Sequence, residues 1–177
     1  MTDHPATADA DPSANTALST AANTGFAIDI VCEDGCEPYP GWGEDDTREL
    51  AEFLLQKLRM AAGSDISVAF VGEKEMERLH VQWLDEPGPT DVMSFPMDEL
   101  VPGDERAGSL GDVVICGSVA ARQAQAAGHS IRDEVELLFT HGVLHLLGHD
   151  HQEPAEHEVM FGLQADLLKS WREENNS

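Results

Sequence analysis

The chain has 177 residues, 41% of them hydrophobic, which is enough for one domain with a sizeable core and fits a soluble globular protein. Ten Lys and Arg face 34 Asp and Glu, a formal net charge of −24; so acidic a surface keeps a protein in solution and opposes non-specific RNA binding. No apolar run approaches the length of a membrane span, and the N-terminus lacks the basic region and apolar block of a secretory signal, so the expected compartment is the cytoplasm, with no membrane partner.

Residues 1–24 are rich in Ala, Thr, Ser, Asp and Pro and carry almost no large apolar side chain besides Leu18. They are expected to remain disordered, leaving residues 25–177 as a single domain. Alternation over Phe26–Val31 predicts a first strand. Pro38, Pro40 and three glycines make Glu33–Gly43 a loop, from which Trp42 can cap the core. Cys32 and Cys36 are spaced more widely than a C-x-x-C pair, and Cys116 makes the total three. They are read as free thiols, with a Cys32–Cys36 bridge as the lesser alternative.

A helix is predicted over Asp45–Ala62, with Leu50, Phe53, Leu54 and Leu58 on one side and Gly63 as its stop. Ile66–Val71 reads as a second strand, Glu73–Trp83 as a short helix carrying Met76, Leu79 and Trp83, and Asp85–Pro89 as a turn. Thr90–Phe95 is a third strand ended by Pro96, and Asp98–Ala107 a polar loop. Leu110–Cys116 is apolar enough to be a strand covered on both faces. An alanine-rich helix over Ser118–Ala127 closes at Gly128. Ser130 and Asp133 form a capping-box pattern that starts a helix ending at Leu147. That helix is apolar nearly all round, so it belongs in the core. Pro154 opens a last helix running to about Trp171, with Met160, Leu163, Leu167 and Leu168 facing inward.

The chemistry lies in His141–His151, where three of four histidines follow the spacing H-x-x-x-H-x-x-G-x-x-H. His141 and His145, four apart, share one helical face and can share one ion. Gly148 can take a left-handed conformation, end the helix and swing His151 back toward them. Three imidazoles and an open position suit a catalytic Zn²⁺, with Ni²⁺, Co²⁺ or Cu²⁺ able to use the same ligands. His149 is the poorer ligand candidate. Asp150 is a candidate to accept an imidazole N–H and fix a tautomer, or else a solvated turn residue. The spacing is that of the metzincin zinc peptidases with one change: Gly142 stands where those enzymes carry the glutamate that activates water. The ligand set is present while the adjacent general base is absent.

The stretch His141–His151 also resembles the signature of the YbeY family, metal-dependent endoribonucleases of ribosomal RNA maturation. Two further segments resemble that family in the same order: Pro89–Pro96, reading PTDVMSFP, and Leu110–Cys116, reading LGDVVIC. The resemblance covers roughly Ile66–Leu168 and implies an α+β fold, a small mixed four-stranded sheet packed with about five helices, with a zincin-like metal helix in the core. It implies a single-strand-directed endoribonuclease acting in small-subunit ribosomal RNA maturation and ribosome quality control. Ribosomal RNA is the implied substrate, and ribosomal or assembly proteins are candidate partners. Two positions depart from the family pattern: Leu84 replaces an arginine suited to phosphate contact, and His80 replaces an asparagine. Arg106, Arg122 and Arg132 are candidate cations for RNA, each with a plainer reading as a surface arginine.

Two other readings stand beside this one. A zincin-type metallopeptidase has the spacing for it and Gly142 against it. A metal-stabilised ribosome-assembly factor with little catalysis is favoured by the net charge of −24 and by Leu84. Without a carboxylate at 142, the base is an activated water, a substrate phosphate oxygen or an acid from another segment, and the sequence does not name the residue.

Overall fold

Three strands run parallel and a fourth closes the sheet in the opposite sense. β1 (Ala27–Cys32), β2 (Asp65–Val71) and β4 (Ser109–Cys116) are parallel neighbours, and β3 (Val92–Pro96) pairs antiparallel with β4, giving the order β1-β2-β4-β3. Among the described residues five helices accompany the sheet: α1 (Glu44–Lys57), α2 (Glu73–Leu84), α3 (Gly117–Ala127), α4 (Ile131–Leu146) and α5 (Pro154–Asn175). This computed structural model describes residues 25–33 and 41–175. The expectation for the tail 1–24, most of the loop 33–43 and the Cys36 thiol lie outside those residues. The mixed four-stranded sheet with five helices is the α+β arrangement expected from the sequence.

The sheet holds its register through its middle. Val68, Val113 and Ile115 have no exposed surface and face the main core, while Val114 and Cys116 are buried on the opposite face, so the end of β4 is covered on both sides; β2 alternates, with Ser67 and Ala69 only half-buried. β3 lies at an edge and ends at Pro96, a residue that cannot continue a ladder. Its outer side borders the cleft described below.

The central helix is α4. Val135, Phe139, Val143, Leu144 and Leu146 are buried around its circumference, and it packs between the sheet, α3 and α5. Its start is fixed by local chemistry. Ser130 Oγ accepts the Asp133 backbone N–H at 3.0 Å, and its hydroxyl donates to Asp133 Oδ2 at 2.6 Å. The Ser130 hydroxyl thereby holds the Asp133 carboxyl below its ordinary range. At the far end α5 docks with Met160, Gln164, Leu167, Leu168 and Trp171 buried. The Trp171 indole N–H donates to Glu136 Oε1 at 3.0 Å, and Arg132 and Arg172 lie against the same carboxylate, so this buried acid is charge-paired.

Two helix ends differ from the sequence reading by about a turn: α5 runs on past Trp171 to Asn175, and α1 ends at Lys57, not at Ala62. Arg59 takes a left-handed φ of 56°, and the Met60 N–H reaches back to the Leu55 carbonyl. That turn drives Leu58 and Met60 into the core, where both are buried. Burying two such side chains is worth about 3–6 kcal/mol, against about 1–2 kcal/mol for one left-handed residue. Trp42 is buried as expected, its indole N–H donating to Thr47 Oγ1 at 2.8 Å.

Candidate metal centre

The site begins with the way α4 stops. Gly148 sits at φ +85°, and two backbone bonds close the end: Gly148 N–H to the His145 carbonyl at 3.1 Å and His149 N–H to the Leu144 carbonyl at 3.0 Å. This left-handed glycine cap turns the chain sharply. His151 is brought back over the last turn of the helix.

The three histidines converge. Ring centroids are 4.6 Å apart for His141 and His145, 5.1 Å for His145 and His151 and 5.4 Å for His141 and His151. One nitrogen from each lies within 4.8 Å of the others. His141 and His145 are half-buried and His151 is exposed, so the group has a closed side and an open side.

The hydrogen bonds decide which nitrogens are free. His141 Nδ1 lies 2.9 Å from Gln164 Oε1, and His145 Nδ1 lies 2.9 Å from the His149 carbonyl oxygen. Both partners accept, so each Nδ1 carries the proton and each Nε2 a lone pair. The two Nε2 atoms face one another at 3.1 Å. Two lone pairs at that distance repel unless a cation or a proton lies between them. A proton is disfavoured there: burial, with the neighbouring imidazoles in support, holds His141 and His145 below the ordinary imidazole range. The donor set therefore fits a divalent metal ion, and the tautomers are set for it by Gln164 and the His149 carbonyl.

Gln164 is the residue that sequence reasoning passed over. Its signal was present: it is a polar residue on the inward stripe of α5, between Met160 and Leu167, and it is 6% exposed. A buried amide on an apolar face requires a partner, and its partner is His141. Asp150, the sequence candidate for this role, does something else. Its Oδ1 accepts the His151 backbone N–H at 2.7 Å and so shapes the turn.

Gly142 has a structural reason. Its face of α4 lies against the sheet, and the Ser94 hydroxyl donates to its carbonyl at 3.0 Å. A Cβ at this position would stand 2.7 Å from Val113 Cγ1 and 3.2 Å from Ser94 Oγ. Position 142 therefore has no room for a side chain, so the glutamate of the peptidase pattern is excluded by packing as well as absent from the sequence.

A cleft of about 670 Å³ opens beside the three rings. β3 forms one wall, and Trp83 and Leu84 at the end of α2 form its rim. Among the described residues that line it, Asp91 is the one carboxylate and there is no Lys or Arg. The Asp91 carboxylate accepts the Val92 N–H at 2.7 Å, and its charge acts on His141 in the direction opposite to burial. Arg122 pairs with Glu73, Arg132 with Asp46 and Glu136, and Arg106 with Asp104 and the Asp98 carbonyl. The three candidate cations thus act as surface arginines. His80 is also engaged away from the cleft, with Nδ1 2.8 Å from the Gly88 carbonyl and Nε2 3.3 Å from Glu86. His157 stacks on Phe161 at 4.2 Å, and Phe161 in turn packs edge-on against His141 at 5.8 Å.

Comparison with known proteins places this geometry among relatives. The family model described as endoribonuclease YbeY matches residues 43–172. An endoribonuclease YbeY from Thermobifida fusca is 53% identical over 151 residues, covering 83% of this chain and 95% of the relative. One from Streptomyces coelicolor is 48% identical over 156 residues, covering 84% and 92%. The solution structure of TM1509 from Thermotoga maritima aligns with a TM-score of 0.53 at 23% identity, covering 83% of this chain and 93% of that one, a likeness of fold.

Proposed function

Since the chain belongs to the endoribonuclease YbeY family, we propose that it is a metal-dependent endoribonuclease that cuts single-stranded stretches of ribosomal RNA during small-subunit maturation and ribosome quality control. His141, His145 and His151 are the ligands in this reading, and Zn²⁺ is the ion that three imidazoles with an open side suit best. The single observation that carries it is the pair of opposed Nε2 lone pairs at 3.1 Å, with both Nδ1 atoms already committed. An ion bound there would supply Lewis-acid polarisation of a phosphoryl oxygen and acidify water at neutral pH.

The chain's own residues prepare that chemistry. Gln164 and the His149 carbonyl hold two rings in the tautomer that leaves Nε2 free, and burial favours the neutral form of both. The exposed ring of His151 leaves the remaining side open to the cleft. Among the sources of a base that the sequence leaves open, the cleft wall provides one carboxylate, Asp91. The metallopeptidase reading is not favoured, because packing against Val113 bars a carboxylate from position 142. Nor is the metal-stabilised assembly factor with little catalysis, since the named relatives are endoribonucleases.

The test incubates purified protein with structured RNA and, separately, with an unfolded protein, each with and without chelator, and measures bound metal by elemental analysis. RNA cleavage that chelator abolishes is expected, with no proteolysis. His141→Ala and His145→Ala should each lose both metal and cleavage. Full metal occupancy and full activity in either variant would sink the assignment.

A further inference from the structure

We propose that Trp83 is a stacking platform that holds an unpaired nucleobase of the RNA beside the histidine centre. This rests on the ribonuclease reading and adds to it the means by which a strongly acidic protein grips its substrate.

The first observation is a tryptophan in the wrong place for folding. Trp42 and Trp171 are 2% and 4% exposed, whereas Trp83 is 60% exposed and its neighbour Leu84 58%. A large aromatic surface left in water gains nothing for the fold. The indole is nonetheless braced. Its ring meets Phe95 at 5.6 Å in an edge-to-face contact of 65°. Phe95 belongs to β3 and packs on the buried cluster that includes Met93, Val114 and Cys116. The indole is therefore exposed and supported by the sheet at once, which lowers the ordering cost of stacking a ligand on it.

Continuity with the metal centre is the second observation. Trp83 and Leu84 line the same cleft as His141, His145 and His151, with β3 between them. A nucleotide with its phosphate at the three rings can extend its base along β3 toward the indole.

Charge supplies the third. Among the described residues no Lys or Arg lines the cleft, Asp91 does, and the whole chain carries −24. Apart from an ion on the three histidines, the described cleft walls offer no cation to a phosphate, so the uncharged part of the substrate has to supply affinity away from that point. Every base has an aromatic face, and stacking on a side chain is the sequence-tolerant way to hold a single strand. Leu84, in the position where the family pattern has arginine, extends the apolar rim and supplies no charge.

The experiment uses the full chain and a short single-stranded 2′-O-methyl oligonucleotide that resists cleavage. Indole fluorescence follows stacking, because Trp83 is the exposed tryptophan of the three. Anisotropy of a labelled oligonucleotide follows affinity independently. Expected results are quenching on titration in the wild type, loss of that quenching in Trp83→Phe and Trp83→Ala, and affinity about 5- to 100-fold weaker in Trp83→Ala. Trp83→Phe should recover part of the affinity, and both variants should keep the wild-type urea midpoint. An oligonucleotide with an abasic site at the bound position should lose as much affinity for the wild type as Trp83→Ala loses for the intact strand. Wild-type affinity in Trp83→Ala, or equal affinity for the abasic strand, overturns the stacking role and leaves the ribonuclease reading standing. Tighter binding of an unfolded peptide than of the oligonucleotide, with quenching of the same indole, overturns it in favour of a protein ligand. A wild-type protein that neither binds nor cleaves RNA removes the ribonuclease reading itself.

Discussion

Replacing Gly142 with alanine asks how tightly α4 lies on the sheet. A helix interior ordinarily gains about 1 kcal/mol from Gly→Ala, because alanine loses less backbone freedom on folding. Here the added methyl would stand 2.7 Å and 3.3 Å from the two γ-methyls of Val113, a residue with no exposed surface. Such an overlap must be relieved by moving Val113 or lifting the helix, and overpacking of this kind costs about 1–3 kcal/mol. The net expectation is a loss of about 0–2 kcal/mol. With a urea slope of about 1–3 kcal/mol per molar, a loss near the middle of that range lowers the midpoint by about 0.5 M. A double-mutant cycle with Val113→Ala isolates the contact: Gly142→Ala should cost less, or stabilise, once the γ-methyls are gone. Gly142→Glu extends the test to function. Its carboxylate would be forced against Val113 and Ser94, so the variant should be strongly destabilised and show no proteolysis. A Gly142→Ala protein more stable than the wild type, with no coupling to Val113, would falsify the packing account of this glycine.

Other outcomes follow from the same geometry. Gln164→Leu removes the acceptor of the His141 Nδ1 proton, so metal affinity measured by chelator competition should fall about 10- to 100-fold; unchanged affinity refutes the orienting role. Because burial depresses His141 and His145, the stability they contribute to the metal-free protein is fully present above the unfolded imidazole value of roughly 6.5 and is lost as pH falls through the lower folded values. Urea midpoints recorded in chelator from pH 8 to pH 5 should therefore drop on the acid side, and less so in the His141→Ala, His145→Ala double variant. Ser130→Ala deletes the N-cap of the metal helix and should cost about 1 kcal/mol, seen as about 2–4 °C in the melting temperature. A melting curve that does not move would show that tertiary packing alone defines where α4 begins.

What the sequence disclosed was chiefly local. The capping box at Ser130, the left-handed glycine at 148 and the one-turn spacing of His141 and His145 each depend on residues within a few positions, and each is where the pattern put it. The strand order β1-β2-β4-β3 was not legible, since alternation says nothing of which strands are neighbours. The misses are long-range. Gln164 meets His141 across 23 positions, and only the docking of α5 brings them together. The early stop of α1 depends on where Leu58 and Met60 can be buried, which no helix propensity encodes. Trp83 falls on a helix beside Met76 and Leu79, yet Met76 is buried and the indole is not. Hydrophobic periodicity cannot distinguish a side chain bound for the core from one bound for a cleft.

The two inner imidazoles are anchored by different parts of the chain, His141 by α5 and His145 by the turn that also delivers His151. An ion bound at these rings would consequently be linked to the seating of the C-terminal helix, each making the other more favourable by the same free energy. At a free ion concentration one hundred times the dissociation constant, that coupling can contribute up to about 2.7 kcal/mol to the protection of α5. Amide exchange in residues 160–171, which contain none of the three histidines, would then gauge metal supply.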